Sequence, residues 1–359
     1  MRRNRILLVW VALITLGVLL AASWLCSEPE TLYEIRFLPA LGGSRSIIPH
    51  SINDHGHVVG VAEMSPNQWN TFIWDEDGGI TDLGPYAGTR HHHDYVRINN
   101  VGQIASTTMD PNGNPSVFLL DPNGVKHILR APNRERIHVQ ALNNRGQVVG
   151  YYNAERSPRM AFIWDKTTGM QDLGPPNTIE SLARDLNDSG QVVGFLSTMR
   201  DSQWYAFRWD PNTGMQNLGV TRSGMIHSCR INNQGGVVGV FGSADDDTTV
   251  SMWTREGGVQ NAPWFRGTFA RVVGLNDANH FIVCMHLSEL RIRQLAVRPH
   301  RASFFCDPNG GFKDIGNCLG RKDVVAFWAR GINNRGQIIG LLSLEKQPKY
   351  LGVILEPIH

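Results

Sequence analysis

The phrase Ile/Leu-Asn-x-x-Gly-x-Val-Val-Gly recurs seven times along this chain, and few folds accept a recurrence at that interval. The copies begin at Ile52, Ile98, Leu142, Leu186, Ile231, Leu275 and Ile332. Their lead asparagines are Asn53, Asn99, Asn143, Asn187, Asn232, Asn276 and Asn333, separated by 46, 44, 44, 45, 44 and 57 residues. No helical apolar period lies inside a unit. A fixed period near 44 without one points to a β-propeller or another β-array.

The fourth unit shows how a repeat becomes a blade. Ala183-Arg184-Asp185-Leu186 reads as a short first strand, and Asn187-Asp188-Ser189-Gly190 as a turn. Asn and Asp bond their own backbone in such turns, and Gly supplies the positive φ. Gln191 to Phe195 forms a second strand and Ala206 to Trp209 a third; Asp210-Pro211-Asn212-Thr213-Gly214 connects to a fourth at Met215 to Gly219. Four short strands per unit match a propeller blade. Trp74, Trp164, Trp209 and Trp253 fall where blades pack together. The seventh unit runs out of chain after a third strand at Leu351 to Leu355, while Leu32 to Leu38 stands ahead of the first unit. Pairing that segment into the last blade closes the ring and removes an open edge. The expectation is an all-β, seven-bladed propeller of four-stranded blades, with an open β-solenoid as the alternative.

Three stretches divide the chain. Residues 1–25 hold Arg2, Arg3 and Arg5 before an apolar run, then Ala21-Ala22-Ser23. This pattern reads as a cleaved signal peptide or, uncleaved, as a membrane anchor; lipidation at Cys26 is a third option. Residues 26–31 form a short linker and residues 32–359 the propeller. Each reading exports the body, leaving it extracellular, periplasmic or anchored facing outward. Membrane contact is then confined to the N-terminal segment. A net charge of +2 gives no bulk attraction to nucleic acid. Export permits disulfides. Of Cys229, Cys284, Cys306 and Cys318, the last two share a repeat and form the first candidate pair; unpaired buried thiols are the alternative. Oligomeric state is left open.

The combination of INxxGxVVG with AFxW and DLG resembles the HAF family of extracellular repeats, over nearly the whole body from Tyr33 onward. The family is named for a His-Ala-Phe triplet. Here Asn70, Met160 and Tyr205 stand where that His would be. The resemblance implies an exported repeat protein and no defined reaction.

No nucleophile elbow, phosphate loop, zinc-binding helix or paired Cys-x-x-Cys is present. The recurring asparagine reads as turn chemistry. The connections from fourth to first strand and from second to third share one face, and that face carries the irregular lengths. Five residues before each lead asparagine stand Ile48, Asp94, His138, Leu182, His227, Arg271 and Trp328. Asp94, His138, His227 and His92 are candidate ligands for a divalent metal; without one, no cofactor is implied. His138, His227 and Asp94 are also the acid–base candidates if the chain is a polysaccharide lyase or hydrolase. The sixth unit has a longer loop with Arg291, Arg293, Arg298 and Arg301, flanked on the same face by Trp264, Arg271, Arg321 and Trp328. Guanidiniums grip carboxylates and sulfates, and an indole stacks on a sugar. The leading expectation is an exported binding or scaffold propeller for an anionic glycan, envelope polymer or protein. The alternatives are the enzyme above and a purely structural envelope protein.

Overall fold

The computed structural model describes residues 31–87, 96–109, 115–130, 136–153, 158–199, 203–221, 228–242, 248–254, 258–262, 270–285, 302–308, 311–347 and 349–358. It is a seven-bladed β-propeller. Each blade is a four-stranded antiparallel sheet with strands a to d from the channel outward, in sequence order in blades 1 to 6. Strands a span Ile47–Ile52, Arg97–Ile98, Arg136–Leu142, Thr178–Leu186, Cys229–Ile231, Arg271–Leu275 and Val324–Ile332 in blades 1 to 7. In blade 4 the others are Val192–Thr198, Trp204–Asp210 and Gly214–Thr221.

The last blade is built from both ends of the chain. Strand Tyr33–Phe37 pairs with Leu351–Pro357, Ile35 opposite Leu355, and becomes the outermost strand of a sheet that runs inward through Ile338–Leu344 to Val324–Ile332. The ring is thereby closed as the sequence predicts, and the edge that Leu351–Pro357 would present is covered.

Among the described residues there is no central core. Seven apolar clusters lie between the blades instead. Phe72 and Trp74 of blade 1, for example, pack with Ile339 and Ile354 of blade 7, and Phe162 and Trp164 of blade 3 with Leu119 and Leu129 of blade 2. Strand b is covered on both faces, so Val192 to Leu196 is buried without interruption. That explains its continuous Val-Val-Gly-Phe run. Strand d meets solvent, and Gln171 and Asp172 are exposed.

The two glycines of the repeat serve different needs. The first takes positive φ, as at Gly190 (φ 78°); blade 6 places Asn279 there (φ 64°), and Asn is one of the few other residues that visits this region. The second lets strands a and b approach. A Cβ at Gly60, Gly150, Gly194 or Gly340 would collide with the carbonyl oxygen of Ile48, His138, Leu182 or Trp328.

Cys306 faces Phe312 across its hairpin, and no disulfide joins the four described cysteines. The candidate Cys306–Cys318 bridge is absent. Cys306 instead fills the apolar core between blades 5 and 6, and Cys318 the one between blades 6 and 7.

Candidate functional site: the central channel

The seven turns meet at one end of the channel and are bonded into two closed rings. Each lead asparagine first organises its own turn. The Asn187 Oδ1 accepts from the amides of Ser189 (3.1 Å) and Gln191 (3.0 Å). Its Nδ2 then donates to the backbone carbonyl of the next lead asparagine, Asn232, at 3.1 Å. The same bond runs from every blade to the next and returns from Asn333 to the Asn53 carbonyl at 2.8 Å.

The following residue forms the second ring. The backbone amide of Asp54 donates to Asn100 Oδ1, and the pattern continues through Asn144, Asp188, Asn233, Asp277 and Asn334 back to Asp54 Oδ1. No two aspartates are neighbours in this ring. Each carboxylate accepts from an adjacent amide as well, as Asp188 does from Asn144 Nδ2 at 2.8 Å. Asn334 Nδ2 lies 3.0 Å from both Asp54 and Asp277. The rings enclose a cavity of about 170 Å³ lined by the Ile/Leu-Asn-Asn/Asp triplets.

A second layer of polar side chains stands two and three residues before the lead asparagines. In blades 1, 3, 4, 6 and 7 strand a bulges there, between Pro49 and Ser51, Val139 and Ala141, Ala183 and Asp185, Val272 and Gly274, and Ala329 and Gly331. A bulge re-aims the extra residue. Those residues are His50, Gln140, Arg184, Val273 and Arg330. Asp185 accompanies Arg184, and blades 2 and 5 contribute Arg97 and Arg230.

These side chains reach sideways to neighbouring blades. Arg97 donates from Nε to the Gln140 carbonyl (2.6 Å) and from Nη1 to the His50 carbonyl (3.0 Å). Arg184 donates to Gln140 Oε1 at 3.2 Å. Arg230 donates to the carbonyls of Val273 (3.3 Å) and Cys229 (2.8 Å). Asp185 accepts from the amides of Ile231 (3.0 Å) and Leu186 (3.1 Å). Four guanidiniums and one carboxylate therefore occupy this belt among the described residues.

The electrostatics follow. Burial, with the charges of Arg330 and Arg97, holds the His50 imidazole well below its ordinary range, so it stays neutral. Burial pushes the Asp185 carboxyl up, opposed by Arg230, the Ile231 amide and Arg97. Burial also raises the Cys229 thiol to about 12.

Of the residues that the sequence singles out, Asp94, His92, His227, Trp264, Arg291, Arg293, Arg298 and Arg301 lie outside the described residues. His138 is buried, its ring stacked on Tyr151 at 4.6 Å. Arg271 is half-buried opposite Cys284. Arg321 is exposed and grips Asp323 through two bonds of 2.9 and 2.7 Å. Trp328 is half-buried, with its ring 4.6 Å from that of Tyr350. Among the described residues no three His, Cys, Asp or Glu side chains come together as metal ligands.

No family model matches the chain, and no curated protein sequence matches it. Solved structures share the fold. A puromycin hydrolase superposes with a TM-score of 0.59 at 12% identity, over 91% of this chain and 54% of the other. Prolyl oligopeptidase B from Galerina marginata gives 0.56 at 9%, over 85% and 48%. A prolyl endopeptidase gives 0.54 at 12%, over 77% and 42%. The chain thus spans about half the length of these proteins, and the likeness is one of fold.

Proposed function

We propose that the chain is an exported, non-enzymatic β-propeller that binds an anionic glycan or envelope polymer through its loop face. What supports this reading is the recurrence of arginine on strands a of four blades, at Arg97, Arg184, Arg230 and Arg330, among the described residues. The same sign continues onto the loop face through Arg271 and, in sequence, through Arg291, Arg293, Arg298 and Arg301. Trp264 and Trp328 add the aromatic surface that a sugar ring would stack on. The resemblance to HAF repeats and the apolar N-terminal segment support export, with a signal peptide or anchor delivering the body across a membrane. An enzymatic reading would need His138 to exchange protons with a substrate, and its burial against Tyr151 suits packing better.

The test is a binding screen of the purified body against acidic and neutral polysaccharides, beside an Arg291→Ala/Arg293→Ala variant. Salt-sensitive binding to acidic polymers, weakened about tenfold or more in the variant, is expected. Equal binding by the two proteins, or a preference for neutral glycans, would overturn the reading.

A further inference from the structure

Strands of a blade alternate in direction, so the hairpins between strands c and d lie on the same face as the asparagine turns, opposite the loop face. On that face an open pocket of about 140 Å³ lies between blades 3 and 4. That is roughly ten times the space one water needs. Ile163 of blade 3 and Trp209 of blade 4, which pack in one apolar cluster, form part of its wall with Pro211. Trp209 is half-buried, whereas its counterparts Trp74 and Trp164 are buried. Arg145 and Gln147 reach the pocket from the asparagine turn of blade 3. Asp165 and Thr168 reach it from the hairpin between strands Arg159–Asp165 and Gly169–Asp172. They converge near Gly190, whose lack of a side chain keeps the space open. A Cβ there would lie 3.3 Å from Gln147 Oε1 and 3.8 Å from both Arg145 Nη1 and Pro211 Cγ.

The repeat explains why polar groups are left over in this groove. In blades 2, 4 and 7 the glutamine four residues after the lead asparagine donates to an acid near the end of strand c. Gln103 bonds Asp121 at 2.7 Å, Gln191 bonds Asp210 at 2.8 Å and Gln337 bonds Glu356 at 2.8 Å. Blade 3 carries the same pair, Gln147 and Asp165, without that bond. The Asp165 carboxylate is taken up by its own hairpin instead. Its Oδ1 accepts from the amides of Thr167 (2.7 Å) and Thr168 (2.8 Å), and its Oδ2 from the Thr168 hydroxyl (2.9 Å). Partial burial opposes ionisation there, but these bonds and the charge of Arg145 outweigh it and hold the carboxyl below its ordinary range. Gln147 Oε1 is held by Asn143 at 2.8 Å, and its Nε2 meets no acceptor among the described residues. The Arg145 guanidinium, the Gln171 amide and the Trp209 indole N–H likewise have no bond there.

The pocket thus offers several donors, one remaining lone pair on Asp165 Oδ2, and an aromatic wall. One guanidinium and one carboxylate line it, so it carries no net charge and suits a neutral ligand. A hydroxyl both donates and accepts, and a pyranose sets several hydroxyls around an apolar C–H face. A zwitterionic amino acid fits less well, because its ammonium needs three acceptors.

We infer that this pocket binds one neutral pyranose residue, its C–H face on Trp209 and its hydroxyls among Arg145, Gln147 and Asp165. The site is independent of the loop-face reading and lies at the other end of the propeller.

The test is saturation-transfer NMR on the full-length chain with the methyl glycosides of glucose, galactose and mannose, used separately, beside glycine and alanine as zwitterions. Saturable binding of at least one glycoside is expected, in the millimolar range for so small a ligand. Trp209→Leu keeps an apolar side chain where blades 2 and 7 carry Leu120 and Leu355, and weakens binding about tenfold or more. Arg145→Gln alters an exposed side chain that has no bond to lose; it weakens binding about threefold or more, which decides the matter if Trp209→Leu fails to fold. Arg130→Gln, exposed at the end of a d strand of blade 2, leaves binding unchanged. A matching trisaccharide that binds more tightly marks the end of a glycan chain as the ligand, and one that does not marks a free sugar; either upholds the site. No binding of the three glycosides, binding of the amino acids in their place, or equal binding by the wild type and Arg145→Gln would overturn the inference. The Arg291→Ala/Arg293→Ala variant should bind the glycosides as the wild type does. The polysaccharide screen repeated with Trp209→Leu reports on the loop face alone, so either site can fail without the other.

Discussion

Replacing Asn143 by alanine tests whether the amide ring holds the blades together. The side chain is 4% exposed and makes four bonds. Its Nδ2 donates to the Asn187 carbonyl at 3.0 Å and to Gln147 Oε1 at 2.8 Å. Its Oδ1 accepts from the amides of Arg145 at 3.1 Å and Gln147 at 2.9 Å. Alanine removes the inter-blade donor to the Asn187 carbonyl, which keeps only the Gly190 amide of its own turn at 3.0 Å, and strips two amides of their turn acceptor. Each of the four lost hydrogen bonds is worth about 0.5–1.5 kcal/mol, the lower end applying to those that water reaches. The sum is about 3 kcal/mol. For a body of this size that lowers the melting midpoint by about 4 °C. Calorimetric melting of the variant is the assay, with Asn123→Ala as the control. Asn123 caps an exposed turn in blade 2 with one bond, to the Val125 amide, and its loss should stay within about 0.5 kcal/mol. Asn143→Asp sharpens the test. It keeps the two acceptor bonds but sets a carboxylate against the Asn187 carbonyl, so it should be as damaging as alanine at pH 7 and recover as acid protonates it. A midpoint for Asn143→Ala within 1 °C of that of Asn123→Ala would refute the reasoning.

Gly194→Ala should cost about 1–3 kcal/mol in urea unfolding, because the new methyl meets the Leu182 carbonyl and the Phe207 ring; an unchanged midpoint would remove the close-approach account of the second glycine. Deleting residues through Leu38 should uncover the edge of Leu351–Pro357 and give self-association on size exclusion; a monomer of unchanged stability would show that closure contributes nothing. His50 is depressed below 6.5 when folded, so the unfolded chain takes up its proton first, and its contribution to stability falls as pH drops through 6.5 toward the folded value. His50→Gln should flatten the stability profile between pH 7 and 5. Asp185, raised above 3.8, works in the opposite sense, gaining stability as pH falls through its folded value toward 3.8. Cys229, 2% exposed with its thiol near 12, should resist maleimide labelling in the native protein and react on unfolding.

The blade count and the ring closure are legible in the repeat, because both depend on spacing and on where the pattern starts and stops. Strand lengths were less readable. Ala183 to Leu186 reads as the first strand of blade 4, yet the strand begins at Thr178. Two register shifts, between Thr178 and Glu180 and between Ala183 and Asp185, break the two-residue alternation that marks a strand. The outer strand Lys126–Leu129 of blade 2 was hidden for a different reason. It lacks the Asp-Leu-Gly ending and, being solvent-facing, needs no apolar signature.

The channel belt was hidden by the same bulges. Alternation counted back from the lead asparagine assigns each residue a face only while the pleat is regular. In five blades the pleat breaks three residues before the asparagine, so the residues carried inward there do not fall in phase with those two further back. His138 shows the consequence: it lies beyond the bulge and stacks on Tyr151 within its own blade. A signal was nonetheless present. Arg97, Arg184, Arg230 and Arg330 all stand two or three residues before a lead asparagine, where the neighbouring turn residues repeat and these do not. The asparagine itself was legible as a turn former but not as a fastener, because its Nδ2 partner lies 44 to 57 residues away along the chain, or 280 at the closing link from Asn333 to Asn53. A ring of such bonds is invisible in any single repeat. It exists only once seven blades stand side by side, and that explains why the residue that sets the period also secures the closure.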